Sequence, residues 1–140
     1  MNKWIIVGAA LAIGAPASAQ VCPEGRAASG DLGFQGLRCT GTSASCAIYL
    51  RDGLGHRFSV EPRIDGIDHR GPAADKLREG DVIVAIDSLM ITTTEGGRRL
   101  ATLTPRQPVR LLIRRDGALL EQMIVARSGC GIVRLSVSTR

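Results

Sequence analysis

The segment 71–87 constrains the fold of this chain more than any other stretch. Its sequence, GPAADKLREGDVIVAID, places Pro72 where a helix could begin, and proline suits a first helical turn because its missing N–H is not needed there. Gly80-Asp81 then indicates a turn, and the apolar, mostly β-branched run 82–86 is typical of a buried strand. The segment therefore predicts a short helix, a tight turn and a buried strand in immediate succession.

The flanking sequence predicts further elements of the same size. Hydroxyls at 92–94 can cap a helix, and Asp116-Gly117 is a strong hairpin signal between two apolar runs. The predicted elements are an extended run at 58–67, a helix at 96–103, and strands at 109–114 and 119–125. The order is strand, short helix, strand, longer helix, strand, hairpin and strand.

These motifs together resemble the PDZ domain in its bacterial form. The resemblance rests on the segment 71–87, on TTTEGGRR at 92–99 and on VRLLIRRDG at 109–117, and it covers residues 31–127. It implies a mainly β, α+β fold with two helices. The expected architecture is a PDZ-like, partly open antiparallel β-barrel or sandwich of five to six strands, capped by one short and one longer helix.

The beginning of the chain predicts export. Asn2-Lys3 is a positive n-region, 4–13 is apolar, and Ala17-Ser18-Ala19 is a cleavage site, so residues 1–19 are predicted to be a signal peptide. The apolar run is too short to span a bilayer, so no stable membrane span is expected after cleavage. We expect a periplasmic or secreted protein with an irregular lead-in at 20–30. A C-terminal extension at 128–140 offers a candidate added strand at 132–137.

Four cysteines lie in the exported part of the chain, and an even number in an oxidising compartment indicates two disulfides. Four cysteines permit three connectivities, between which sequence alone does not choose. The pairing favoured here is Cys39 with Cys46, which closes a local excursion, and Cys22 with Cys130, which joins the two ends of the domain. Without a C-x-x-C pair, a metal site is disfavoured, and no cofactor is expected.

Charge and missing motifs argue against two other functions. The formal net charge is +5 at pH 7, but the arginines are scattered and aromatic residues make up 3% of the chain, so nucleic-acid binding is poorly supported. The sequence contains no G-x-S-x-G motif. His56 and His69 lie in turn-rich segments and are predicted to face solvent. We therefore expect a protein that is not an enzyme.

The resemblance also implies a carboxylate-binding loop. The sequence DLGF at 31–34 resembles the loop by which PDZ domains hold the carboxylate at a peptide's end. There, Gly33 would let the backbone N–H groups of Leu32, Gly33 and Phe34 point into one concavity. An alternative position is Gly53-Leu54-Gly55, which we interpret instead as a hairpin turn between 46–50 and 58–67.

A partner strand would lie between a strand at 34–39 and the helix after Thr94, held by backbone hydrogen bonds. The candidate groove and pocket residues are Leu37, Glu95, Arg99, Leu100 and Leu103. Ordinary core packing explains each leucine equally well. The expected function is an exported, non-catalytic module that recognises C-termini or exposed strands of envelope proteins by β-strand addition. The alternative is a structural or scaffolding envelope protein, or a regulatory partner of a separate protease or secretion complex, whose own terminus fills an unused groove.

Overall fold

The computed structural model describes residues 22, 28–41, 46–49, 55–130 and 134–138. Its elements, in chain order, are β1 (Ser29–Asp31), β2 (Gly36–Thr40), β3 (Cys46–Tyr49), β4 (Gly55–Phe58), β5 (Arg63–Ile64), β6 (Val82–Ile86), β7 (Leu89–Met90), α1 (Thr94–Ala101), β8 (Pro108–Arg115), β9 (Ala118–Val125), β10 (Arg127–Gly129) and β11 (Arg134–Ser138). The predicted signal peptide, 1–19, lies outside the described residues. Among the described residues, no helix has both the length and the apolar character needed to cross a bilayer.

The strands form one large sheet and two small ones. The large sheet has the order β11-β2-β5-β6-β8-β9, with β7 also paired to β6, and the small sheets are β1-β10 and β3-β4. These sheets are open and do not close into a barrel. The prediction of a mainly β, α+β fold is confirmed at this level.

The centre of the large sheet follows the predicted apolar pattern. In β8, Val109, Leu111 and Ile113 alternate inward and are fully buried, as are Ile83 and Ile86 of β6. β8 and β9 pair in an unbroken antiparallel register, and the turn between them is Asp116-Gly117. Both turn residues have positive φ, as the tight hairpin turns that match strand twist require.

The predicted short helix is instead a series of turns, so the part of the chain that the structure describes contains one α-helix and not two. Only one hydrogen bond in this segment, from Leu77 N–H to the Ala73 carbonyl, has α-helical spacing, and its neighbours span three residues. The next donors are used elsewhere: the Arg78 N–H binds the Asp81 carboxylate, and the Gly80 N–H binds the Ile64 carbonyl. A segment this short cannot offset the cost of helix nucleation.

Asp81 holds this turn against the end of β8. Its carboxylate accepts the Arg78 N–H at 2.8 Å and two hydrogen bonds from the Arg115 guanidinium at 2.9 and 2.8 Å. Burial by itself would raise the pKa of Asp81, but the hydrogen bonds from Arg115 and Arg78 outweigh it and lower that pKa. The turn after 71–77 is therefore fixed by a buried, fully paired carboxylate.

A disulfide joins the lead-in to the end of β10. Cys22 and Cys130 are bonded, with their Cα atoms 5.3 Å apart, in the pairing that the sequence analysis favoured. Cys39 of β2 is also disulfide-bonded. Its predicted partner is Cys46, whose side chain lies outside the described part of the chain.

β9 forms one outer edge of the large sheet. Its face carries Leu119, Met123 and Val125, each more than 40% exposed. Lys76, from the turn segment, donates a hydrogen bond from its Nζ to the Met123 carbonyl. A lysine therefore covers part of this edge, whereas the opposite edge of the sheet is formed by β11.

Candidate strand-binding edge and loop

β2 has a partner on each side. One side pairs antiparallel with β5, where Leu37 lies opposite Ile64. The other pairs in parallel with β11, from Gly36 opposite Arg134 to Thr40 opposite Ser138. The edge at which the sequence predicts a partner strand is thus occupied along its full length by the chain's own C-terminal strand.

The side chains of β11 repeat the inward pattern of β2. Residues opposite each other in a sheet project to the same face, so Leu135 projects with Leu37 and Val137 with Cys39. Leu135 is partly buried and packs against the main core, whereas Val137 is 38% exposed. Leu135 is therefore the main apolar contact that β11 makes with the core.

The helix that was predicted to form the other wall of the groove packs against β4. α1 begins after Thr93, whose Oγ1 accepts the Gly96 N–H at 3.1 Å. Gly96 and Gly97 are buried: a Cβ on Gly96 would lie 2.1 Å from the Met90 carbonyl oxygen, and one on Gly97 would lie 1.9 Å from that of His56. Only glycine permits this close approach between the helix and the neighbouring backbone.

β3 completes a continuous path of contacts. It pairs antiparallel with β4, from Cys46 opposite Phe58 to Tyr49 opposite Gly55, and it also contacts β11. This pairing agrees with the hairpin interpretation of the segment around Gly53, although residues 50–54 lie outside the described structure. β2 and α1, the two elements predicted to flank a peptide, are therefore bridged by the chain's own strands.

The candidate carboxylate loop, 32–34, is buried and its groups are largely engaged. Gly33 has φ +88°, and its Cβ position would lie 3.2 Å from Gly71 Cα. The Gly33 N–H donates to Oδ1 of Asp31 at 2.8 Å. The Leu32 and Gly33 carbonyls accept the N–H groups of Ala73 and Asp68. The backbone bends at Gly33, but a carboxylate from the chain itself already occupies its donor.

An ion-pair cluster fixes that carboxylate. Arg127 donates from Nε to Oδ2 of Asp31 at 2.9 Å and from a terminal nitrogen to Oδ2 of Asp68 at 2.7 Å. Asp68 also accepts the Arg70 N–H, and this backbone hydrogen bond, together with that from Arg127, lowers the pKa of Asp68. Hydrogen bonds to Asp68 and Asp31 raise the pKa of Arg127, which keeps the guanidinium charged. The cluster of Asp31, Asp68 and Arg127 is called the loop cluster below.

The five candidate groove residues do not meet at an open pocket in the described structure. Leu37, Leu100 and Leu103 are at most 6% exposed and belong to the hydrophobic core. Glu95 is exposed in the first turn of α1. Arg99 donates to the Asp87 carboxylate at 2.7 Å and so joins α1 to the end of β6. Core packing and this ion pair account for four of the five.

His56 is buried, which contradicts its predicted exposure. It is 6% exposed, its ring lies 5.9 Å from that of Phe58, and its Nδ1 has no hydrogen-bond partner among the described residues. Residues two apart in a strand share a face, so His56 lies on the same buried face of β4 as Phe58. Burial lowers the pKa of His56, because the charged imidazolium would lose its hydration.

This burial predicts a loss of stability in mild acid. In the unfolded chain His56 binds a proton near pH 6.5, whereas in the folded chain it does so only at a lower pH. The stability that is present above about pH 6.5 is therefore lost as the pH falls from there towards the lowered pKa. We expect the free energy of unfolding in urea to fall between about pH 7.5 and about pH 5.5, by up to about 1.4 kcal/mol per pH unit. In His56→Leu this fall should be largely absent.

His69→Leu is the matched control, because His69 is exposed and the same change there should leave the slope of the wild type. Asp68 and Asp81 have lowered pKa values and affect stability only at more acidic pH. A His56→Leu protein with an undiminished pH slope would contradict the assignment to His56.

Comparisons with known proteins define the fold class. No protein-family model matches the chain, and no curated protein matches it. Solved structures do match. They include the HtrA-type protease AlgW with a decapeptide, with TM-score 0.51 and 21% identity, and an AlgW variant with a decapeptide, with TM-score 0.50 and 21% identity. Each match covers 76% of this chain and 31% of the protease.

At this level of identity the likeness concerns the fold. HtrA-type proteases contain PDZ domains, and the chain spans about a third of the length of the proteases it matches. The chain therefore has a PDZ-like fold, in which β11 occupies the β2 edge.

Proposed function

We propose that this chain is an exported, non-catalytic PDZ-like module that binds an extended segment of an envelope protein by strand addition at β2. The observation that carries the proposal is the pairing of β11 with β2 over five residues. An added strand gains affinity from main-chain hydrogen bonds and specificity from alternate side chains, here those of the Leu135 and Val137 positions. The AlgW structures, which contain a decapeptide, support a peptide-binding role for a chain with this fold.

In this proposal β11 is the resident occupant and the partner strand replaces it. β11 begins four residues after Cys130, which the disulfide to Cys22 anchors to the domain. A short tether gives the resident strand an effective concentration of roughly millimolar magnitude. A partner peptide binds only to molecules in which the edge is open. Its apparent dissociation constant is therefore the intrinsic dissociation constant divided by the fraction of such molecules.

Three further features fit the proposed location and the non-catalytic role. The predicted signal peptide at 1–19 and the Cys22–Cys130 disulfide both fit an oxidising compartment, periplasmic or extracellular. His56, a candidate general base by residue type, is buried against Phe58. The domain boundaries of this proposal are 31–127 for the module and 128–140 for the segment that contains the resident strand.

The same pairing also favours a second function. If β11 never leaves β2, the edge is permanently closed, and the chain acts as a scaffold through its outer surface. The two functions differ in one property, which is whether a strand supplied from outside can replace β11.

Loosening β11 is expected to increase the binding of an added strand. In Leu135→Lys, a charge replaces the side chain that packs on the core, so β11 should leave the edge more often. We expect a labelled peptide with the sequence of residues 132–140, IVRLSVSTR, to bind this variant about tenfold more tightly than the wild type, in line with the larger fraction of open edge. Fluorescence anisotropy measures the dissociation constants.

Val137→Lys is the matched control, because it makes the same change on the same face at a more exposed position and should alter binding less. Circular dichroism shows that each variant is folded. If neither the folded wild type nor folded Leu135→Lys bound any strand peptide, the binding proposal would fail and the scaffold function would replace it.

A further inference from the structure

We infer that a strand bound at β2 runs parallel to it, with its amino end towards the 32–34 loop, and that Asp31 excludes a free C-terminal carboxylate from that loop. This inference rests on the proposed function and specifies the ligand: an extended segment recognised internally or from its amino end. It departs from the carboxylate-binding role that the sequence assigns to the loop.

The direction follows from the register of β11. Arg134 lies opposite Gly36, two residues after the loop, and Ser138 lies opposite Thr40, at the far end of β2. A replacing strand in the same register leaves its carboxyl end near Thr40, away from the loop. A peptide could present its terminal carboxylate to 32–34 only by running antiparallel to the direction that β11 takes.

One donor of the loop, the Gly33 N–H, is also engaged within the chain. Oδ1 of Asp31 accepts the Gly33 N–H, while Arg127 holds Oδ2 of the same residue. The hydrogen bond from the Gly33 N–H to the side chain of Asp31, two residues earlier, forms an Asx-turn, a local turn in which aspartate is favoured. An incoming carboxylate could accept the Gly33 N–H only by displacing Asp31 from this charge-assisted hydrogen bond.

The charge of the loop cluster favours the opposite end of a peptide. Asp31 and Asp68 share the one guanidinium of Arg127, so these three residues have a formal charge of −1, and the positive charge of Arg70 acts on the cluster at Asp68. A carboxylate placed against Asp31 is repelled by that side chain, whereas an α-ammonium group or a basic first residue is attracted to it. The loop cluster thus acts as a specificity element, with Asp31 as its central residue.

The test uses the full chain carrying Leu135→Lys and four forms of the IVRLSVSTR peptide, with each end either free or blocked. Amidation of the carboxyl end should change the dissociation constant by less than about twofold, because that end lies away from the loop. Acetylation of the amino end should weaken binding by about threefold or more, because it removes the charge attracted to the cluster. Adding Asp31→Asn should abolish the effect of acetylation.

Asp75→Asn, at an exposed position in the turn segment, is the matched control and should retain the effect of acetylation. The direction is measured separately with a nitroxide on the amino end of the peptide. We expect it to broaden the amide signals of Gln35 and Gly36 more than that of Thr40. Melting curves show that each variant remains folded.

The outcomes separate this inference from the proposed function. Binding that is lost on amidation, or broadening that is strongest at Thr40, would overturn the inference and keep the strand-binding function. An unchanged effect of acetylation in Asp31→Asn would remove Asp31 from the recognition. Failure of all four peptides to bind a folded protein would overturn both.

Discussion

Replacing Gly97 by alanine is expected to destabilise the fold by about 2–3 kcal/mol, although alanine is the better helix former by about 1 kcal/mol. The added methyl group would lie 1.9 Å from the His56 carbonyl oxygen and 2.9 Å from its carbon. These atoms belong to the backbone of β4, which cannot rotate away as a flexible side chain could. The helix must therefore move away from β4, and the looser packing between the two elements costs more than the better helix propensity contributes.

The expected change is a fall in the melting temperature of roughly 10 °C or more, together with a lower midpoint of urea unfolding. Arg98→Ala is the matched control, because the neighbouring side chain is exposed and its loss should change stability by less than about 0.5 kcal/mol. Gly97→Ala with the stability of the wild type, or greater, would show that α1 and β4 do not pack as closely as described.

Removing the Cys22–Cys130 disulfide is expected to have the largest effect of any change considered. In Cys22→Ala/Cys130→Ala the unfolded chain is released from a constraint that joins residues 108 apart. Loop-closure entropy for a loop of this length corresponds to about 4–5 kcal/mol. Since small proteins are stable by only about 5–15 kcal/mol, the double variant should lie close to its unfolding threshold.

Urea unfolding under oxidising conditions measures this loss without a reductant, so the disulfide of Cys39 stays formed. Because the constraint acts on the unfolded state, the variant should also unfold with a steeper dependence on urea as its denatured chain expands. Val125→Ala, at an exposed position of β9, serves as a control for the truncation of a side chain. A destabilisation of only about 1 kcal/mol in the double variant would contradict the entropic account.

The sequence predicted those parts of the fold that depend on local patterns. The buried strand, the hairpin at Asp116-Gly117 and the capped helix were all found, because turn chemistry and apolar alternation are short-range signals. β11 pairs with β2 across about a hundred residues, and the alternation of Leu135 and Val137 indicates a strand without indicating its partner. No local sequence pattern indicates that β11 runs parallel to β2, because this direction depends on how the whole chain folds.

The site was predicted less completely, although the sequence contains signals for two of the missed features. Asp31 stands two residues before Gly33, which is the spacing of an aspartate-capped turn, so an internal carboxylate at the loop could have been expected. Gly96-Gly97 within a helix indicates a close backbone approach. The leucines at 37, 100 and 103 gave no means of separating core from pocket, since both environments select the same side chains.

The close approach of Gly33 to Gly71 restricts how the loop can be studied. With φ +88° and a neighbouring backbone 3.2 Å from its Cβ position, Gly33 cannot take a side chain without strain. A Gly33→Val variant would therefore lose binding through damage to the fold, which makes Asp31→Asn the cleaner probe.

The two edges of the large sheet also bear on the colloidal behaviour of the protein. Unpaired strand edges template fibrillar aggregation, and lysines that cover an edge oppose it. Lys76 covers part of the β9 edge, which carries the exposed apolar side chains of Leu119 and Val125 and could otherwise pair with another chain. β11 covers the β2 edge. The β9 edge is covered by a side chain, whereas the β2 edge is covered by a strand that must leave in the proposed function. Release of β11 therefore exposes the β2 edge to aggregation. Because β11 stays attached by a short stretch of chain, it can return quickly, which limits the time for which the β2 edge is unpaired.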